Sequence, residues 1–269
     1  MTGPPIDMAM PQLPQLVFLV ANTLICALAF AYAERQRRRT GSAVGFLLLL
    51  AGAATVINEP VVDVLGLCWF AKQGSIGLFS AWGVTIPAFM LPVYCWYVGG
   101  QSLYAYGAMQ EGITANRLYR LYGIFALVNV ALELPGLNMG IYAYYGKQPF
   151  EVLGFPLWWP ICNALMPIVM AALVHVLLPL LRGMNRLLII LLGPMAAGMT
   201  NGAIGIPVWV ALNSSAPAWV GYCAALVSLV LGLTLASLLT RIVTVAGENR
   251  SLMTHIASST ANPDSQPLR

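Results

Sequence analysis

The sequence predicts an all-α, polytopic integral membrane protein: seven transmembrane helices within residues 1–245, N-terminus outside and C-terminus cytoplasmic, then a polar tail over 246–269. Three observations predict it. Hydrophobic residues make up 59% of the chain and charged residues only 8%, where soluble domains carry about a quarter charged residues, and the mean hydropathy is +0.78. Seven apolar stretches are each long enough to cross a hydrocarbon core of about 30 Å at about 1.5 Å per helical residue. The arginines all fall on one side of the resulting topology, as the retention of Lys and Arg in short cytoplasmic loops requires.

The first span, 14–33, follows "MTGPPIDMAMPQLPQ". That stretch lacks the basic n-region of a cleaved signal, so the span is expected to stay. "ERQRRR" then supplies Arg35, Arg37, Arg38 and Arg39. The second span, 42–62, runs into "VINEPVVDVLGLCWF", and the third is placed at 76–98. Arg117 and Arg120 precede the fourth, 121–141; Arg182 and Arg186 separate the fifth, 158–181, from the sixth, 187–212; the seventh, 217–240, is followed by Arg241, Arg250 and Arg269. The opposite loops carry only Lys72 and Lys147. The net charge of +4 is therefore a topology signal and not a nucleic-acid footprint. The tail after Ala246 is polar and uneven, which fits a disordered cytoplasmic segment or a short interfacial helix. The five cysteines lie mostly in apolar segments, where thiols act as small hydrophobes. None has metal-ligand spacing; Cys68 and Cys162, both placed near the outer surface, are the candidates for a disulfide, with free thiols the plainer expectation.

Polar groups gather in the outer half of the membrane. Counted from the arginine end at about 1.5 Å per residue, Glu59, Trp82, Glu133, Asn163, Thr200, Asn201 and Tyr222 all fall there, and His175 falls alone in the inner half. An ionisable group facing lipid costs about 2.5–3.5 kcal/mol on insertion scales, so such groups normally face the bundle interior. Glu133 lies deep within its span, with Asn129 on the same face one turn earlier and Pro135 loosening the backbone after it. Glu59 and Asp63 share a face if the helix continues through Pro60, with Asn58 beside them. The plainer alternatives are an Asp63 solvated beyond the membrane edge, a Glu59 that caps a loop and a Glu133 in a structural hydrogen bond. Between the fourth and fifth spans, "GIYAYYGKQPFEVLGFPLWW" has the aromatic content of a lid over the bundle mouth. Tyr145, Trp158, Trp159 and Trp209 are candidate lining residues there, the alternative for Trp158 and Trp209 being an interfacial belt. "GPMAAGMTNGAIGIP" in the sixth span suits close helix packing around Asn201. His175, with no acid at its depth, reads as structural.

Several chemistries are absent from the sequence: no Gly-rich phosphate loop, HExxH, CxxC or paired Asp-rich diphosphate motif, and no lysine in the last span for a Schiff base. An aromatic chamber with carboxyl groups and asparagines suits acid catalysis on a hydrophobic molecule arriving from the bilayer. A neutral carboxyl protonates an alkene or epoxide, and aromatic faces stabilise the cation. The expectation is a metal-free, cofactor-free enzyme with Glu133, Glu59 and Asp63 catalytic. Its partners are a hydrophobic small molecule and the lipid, with no nucleic acid, in an integral membrane protein of the bacterial plasma membrane.

With "LELPGLNMGIYAYYG" and "FPLWWP", its size, its seven spans and its intramembrane acids, the chain resembles in general plan the membrane-embedded isoprenoid enzymes: the seven-span terpene cyclases of meroterpenoid pathways and the membrane carotenoid hydratases and cyclases. The resemblance covers roughly residues 42–220 and implies metal-independent protonation of a polyene or terminal epoxide by a buried acid. The chain departs from the meroterpenoid type in having no acid in its seventh span. The rival expectation is a proton-coupled small-solute transporter or a seven-helix sensor using Glu59 and Glu133. A third is an accessory subunit whose polar groups serve helix association.

Overall fold

In hydrocarbon, backbone polar groups must be bonded within the chain, which favours helix, and the molecule is mostly helical (72%). The computed structural model describes the backbone of residues 3–261 and the side chains of residues 3–245. Among the described residues, six helical stretches are long and apolar enough to cross a membrane. The first is α1 (Gln12–Thr40), closed by Gly41, whose left-handed φ of 70° lets its N–H reach the Arg37 carbonyl.

The second joins α2 (Val44–Ala54), a 3₁₀ turn (Thr55–Asn58) and α3 (Glu59–Gly66). Pro60 does not end this helix. It sits in the first turn of α3, where the tightened 3₁₀ turn before it removes the need for its missing N–H. Glu59 and Asp63 therefore share one helical face, and both are buried.

After α3 come β1 (Cys68–Phe70), β2 (Gly77–Ala81) and β3 (Val84–Pro87). The placement of the third span at 76–98 is corrected here: residues 77–87 form an antiparallel hairpin, and the helix begins only at Met90. Trp82 and Gly83 sit at the hairpin tip with φ of 51° and 80°, the geometry of a two-residue turn that matches strand twist. Apolarity alone does not distinguish a short strand from a helical segment. Helix then runs unbroken through α4 (Met90–Tyr94), a π-helical stretch (Cys95–Gly100) and α5 (Gln101–Gln110). At the π stretch α2 crosses backbone to backbone. A Cβ on Gly52 would lie 2.3 Å from the Gly99 nitrogen, so only glycine fits.

The remaining elements are α6 (Ala115–Asn138), β4 (Tyr142–Tyr144), β5 (Glu151–Val152), β6 (Phe155–Pro156), α7 (Trp159–Asn163), α8 (Leu165–Leu177), α9 (Ile189–Leu212) and α10 (Ala218–Ala261). Over 246–261, where the sequence reading placed a polar tail, the backbone continues α10; residues 262–269 of that tail lie outside the described residues. The core forms where α2 packs on the π stretch and on α9, and where α8 packs on α5 and α9.

All the strands lie at one end of the bundle. There β1 pairs antiparallel with β4 in the register Cys68↔Tyr144, Trp69↔Ala143 and Phe70↔Tyr142. The start of α1 joins the same end through Met10 N–H to Gln73 O at 2.8 Å, and the end of α9 through Asn213 Nδ2 to Leu65 O at 2.8 Å. At the other end lie the arginine-bearing connections. There Arg37 and Arg38 clasp Glu34, Arg117 meets Glu111, and Gln110 contacts the ring of His175 at 3.2 Å.

Candidate functional site

The 3₁₀-to-α junction at Pro60 turns Glu59, Val62 and Asp63 inward from α3, while Asn129, Leu132 and Glu133 come from α6. These two helix faces meet around a cavity of ≈ 680 Å³, its open mouth included. Tyr94 and Tyr97 from the third helix, Asn163 and Met166 from α7 and α8, and Asn201 from α9 complete its walls. The strand end covers it with Cys68 and Phe70 of β1 and Tyr142 and Tyr144 of β4.

The carboxyls are held by phenols. Tyr94 donates its hydroxyl to Glu59 Oε2. Tyr142 donates to Glu133 Oε2 at 2.8 Å, and Tyr144 approaches the same oxygen at 3.3 Å. Burial first, and the Glu133 charge next, push both of these hydroxyls up from the ordinary phenol range, so they remain donors. Asn129 lies between the Glu133 carboxyl and Tyr97. Asp63 faces Cys68, whose thiol is pushed up by burial and then by the neighbouring acid, and the carboxyls of Glu59, Asp63 and Glu133 are close enough to interact electrostatically. Asp63 Oδ2, Trp159 Nε1 and Asn201 Oδ1 are buried without a hydrogen-bond partner among the described residues.

Aromatic rings form most of the remaining wall. Phe89 meets Phe18 edge-on at 5.1 Å and Phe70 at 6.0 Å, Phe70 lies 5.1 Å from Tyr142, and Tyr144 lies 6.2 Å from Trp159. Close approach needs glycine at Gly66, where a Cβ would stand 2.2 Å from the Trp159 ring. Toward the arginine end the lining stops at Tyr97, Asn129, Met166 and Asn201, and neither Gln101 nor His175 contributes to it.

The cavity thus brings together Glu59, Asp63, Glu133, Asn129, Asn163, Asn201 and Trp159 of the residues singled out from sequence. The others lie elsewhere. Asn58 donates to the Pro194 carbonyl at 2.7 Å and ties α9 to the junction before α3. Trp158 is stacked behind Trp159 at 4.1 Å, with its N–H toward Gln148 Oε1 at 3.3 Å. Trp209 is buried in the next layer, 6.4 Å from Trp159. Tyr145 uses its backbone N–H on Leu67 O, at 2.9 Å, and does not line the cavity. Trp82 is 69% exposed at its hairpin tip, and Tyr222 is 44% exposed, edge-on to Phe150. The expected depth of Trp82 fails because its segment is a hairpin; Tyr222 fails because depth along a helix does not say which face a residue occupies. All five cysteines are free, Cys68 and Cys162 included.

Sequence reasoning named Tyr142 and Tyr144 only as lid aromatics and missed Tyr94 and Tyr97. The signal for the latter pair was their i,i+3 spacing, with hydroxyls inside an apolar run. It was obscured by taking the hairpin as the start of that helix. Comparison of the chain with protein-family models, with curated proteins and with solved structures finds no match.

Proposed function

We propose that the chain is an integral membrane enzyme of the isoprenoid or terpenoid-modifying kind, a cyclase or hydratase that protonates an alkene or epoxide from a buried carboxylic acid. The unbroken helix Met90–Gln110 serves as the third of seven spans. The arginine-bearing end faces the cytoplasm, which puts the strand end and the cavity on the outer side.

The observation that carries the reading is the convergence of three carboxyls, Glu59 and Asp63 buried and Glu133 half-buried, with their tyrosines on one cavity with aromatic walls. Such a site provides an acid, a base and faces for a cation in one apolar space. Glu59 and Glu133 are each fixed by phenolic donors, so their orientation is set before a ligand arrives. Asp63 keeps one oxygen without a partner among the described residues, and in its protonated form it has a hydrogen to give. The acid O–H bond breaks as a carbon–hydrogen bond forms on the alkene, leaving a carbocation against Phe18, Phe70, Phe89 and Trp159. A neighbouring carboxylate then removes a proton to restore an alkene, or places a water for addition.

A cavity whose lining stops short of the arginine end speaks against an open channel between the two faces. The test is turnover in lipid nanodiscs, after lipid extracts of cells with and without the protein have identified the consumed polyene or epoxide. Glu133→Gln and Asp63→Asn keep shape and lose the titrating proton. Parent-like turnover in these two variants and in Glu59→Gln would remove acid catalysis from this cavity.

A further inference from the structure

Two hairpins at the strand end are built the same way and against the normal preference for such turns. In β2–β3 the tip is Trp82–Gly83, with φ of 51° and 80°; in β5–β6 it is Leu153–Gly154, with φ of 53° and 78°. A two-residue turn with both φ positive strongly prefers Asn-Gly or Asp-Gly, because a bulky side chain is strained in the left-handed region. Here the first position holds a tryptophan that is 69% exposed and a leucine that is 71% exposed. Strain at a residue left mostly exposed points to a use outside the chain.

The surroundings identify that use. Ile76 and Leu78 on the first hairpin, and Val152 and Leu157 at the second, are exposed. The first hairpin packs through β3 on α3 and the second through β6 on α6, so both sit at the ends of membrane-long helices. Trp219 and Tyr222 in the opening turns of α10 are exposed at the same end, and Tyr222 meets Phe150 beside the second hairpin at 5.0 Å. Ile124 and Leu127 on α6 and Leu226 and Val230 on α10 are likewise exposed. Lys72, Lys147 and Glu151 stand as charged neighbours. Aromatic rings flanked by charge at the ends of spanning helices match the headgroup–acyl boundary of a bilayer.

We propose that the two hairpin tips are interfacial anchors: Trp82 and Leu153 insert into the outer leaflet at the headgroup–acyl boundary and hold the strand end, with its cavity cover, against the membrane. This rests on the membrane placement of the proposed function and not on its chemistry. The hairpins lead directly into cavity walls, β3 into Phe89 and Met90 and β6 into Trp159, so anchored tips fix the cover.

The experiment reads the emission of Trp82 as the difference between the parent and Trp82→Phe, which keeps an apolar tip, in nanodiscs. Lipid brominated near the top of the acyl chain is expected to remove most of that difference emission, while acrylamide in the water leaves it largely intact. Loss to acrylamide and not to brominated lipid would overturn the proposal by placing the tip in water. Loss to neither would overturn it by placing the tip against protein, such as a second copy. Leu153→Trp adds a second reporter that must respond in the same way. These readouts need no substrate, so failure of the acid chemistry leaves them unaffected.

Discussion

The hydroxyl of Tyr142 stands within hydrogen-bond reach of two oxygens of one residue, the Glu133 carboxyl at 2.8 Å and the Glu133 backbone carbonyl at 3.0 Å, which share its single hydrogen. A strand-borne side chain from the cavity cover thereby fixes both where the acid sits and where it points. The contact requires bare backbone at Gly136, where a Cβ would stand 2.4 Å from the Tyr142 ring.

Tyr142→Phe removes a buried donor to a carboxyl, a loss worth about 1–3 kcal/mol. It is expected to lower thermal stability in detergent and to slow turnover more than Tyr144→Phe, whose hydroxyl is 3.3 Å from the same oxygen. In a double-mutant cycle with Glu133→Gln the pair should couple by about 0.5–3 kcal/mol. Additive losses would show that the two side chains do not act together.

Glu133→Gln is expected to cost about 10²–10⁴-fold in turnover, the usual share of a positioned acid or base, with its thermal midpoint near that of the parent. Glu59→Gln, which leaves Tyr94 its acceptor oxygen, should behave alike. A rate loss matched by unfolding would mark these acids as structural.

Gly52→Ala should destabilise by about 1–3 kcal/mol through overpacking, since its Cβ meets backbone at 2.3 Å and not a movable side chain. Gly123→Ala on α6, with nothing within 4 Å of the new carbon, should be neutral or gain up to about 1 kcal/mol. Thermal melts in one detergent compare the two.

Alkylation of the denatured, unreduced protein should modify all five cysteines, and mass spectrometry counts the adducts. An unmodified pair that reacts only after reduction would reveal a disulfide, and peptide mapping would show whether Cys68 and Cys162 form it.

By itself the sequence determined that this is a mostly helical chain with membrane-long apolar helices, because hydrophobic length is a property of contiguous residues. It also isolated Glu59, Asp63 and Glu133, since an acid within an apolar run stands out without any knowledge of its neighbours. Only the tertiary structure decided which residues surround those acids. The phenols that hold them arrive from a strand and from another helix, the hairpin at 77–87 was indistinguishable from helix by apolarity, and Trp82 and Tyr222 moved to the outside. Contacts between distant segments depend on crossing points such as Gly52 against Gly99 and on strand register, and neither is written in the local pattern of either partner.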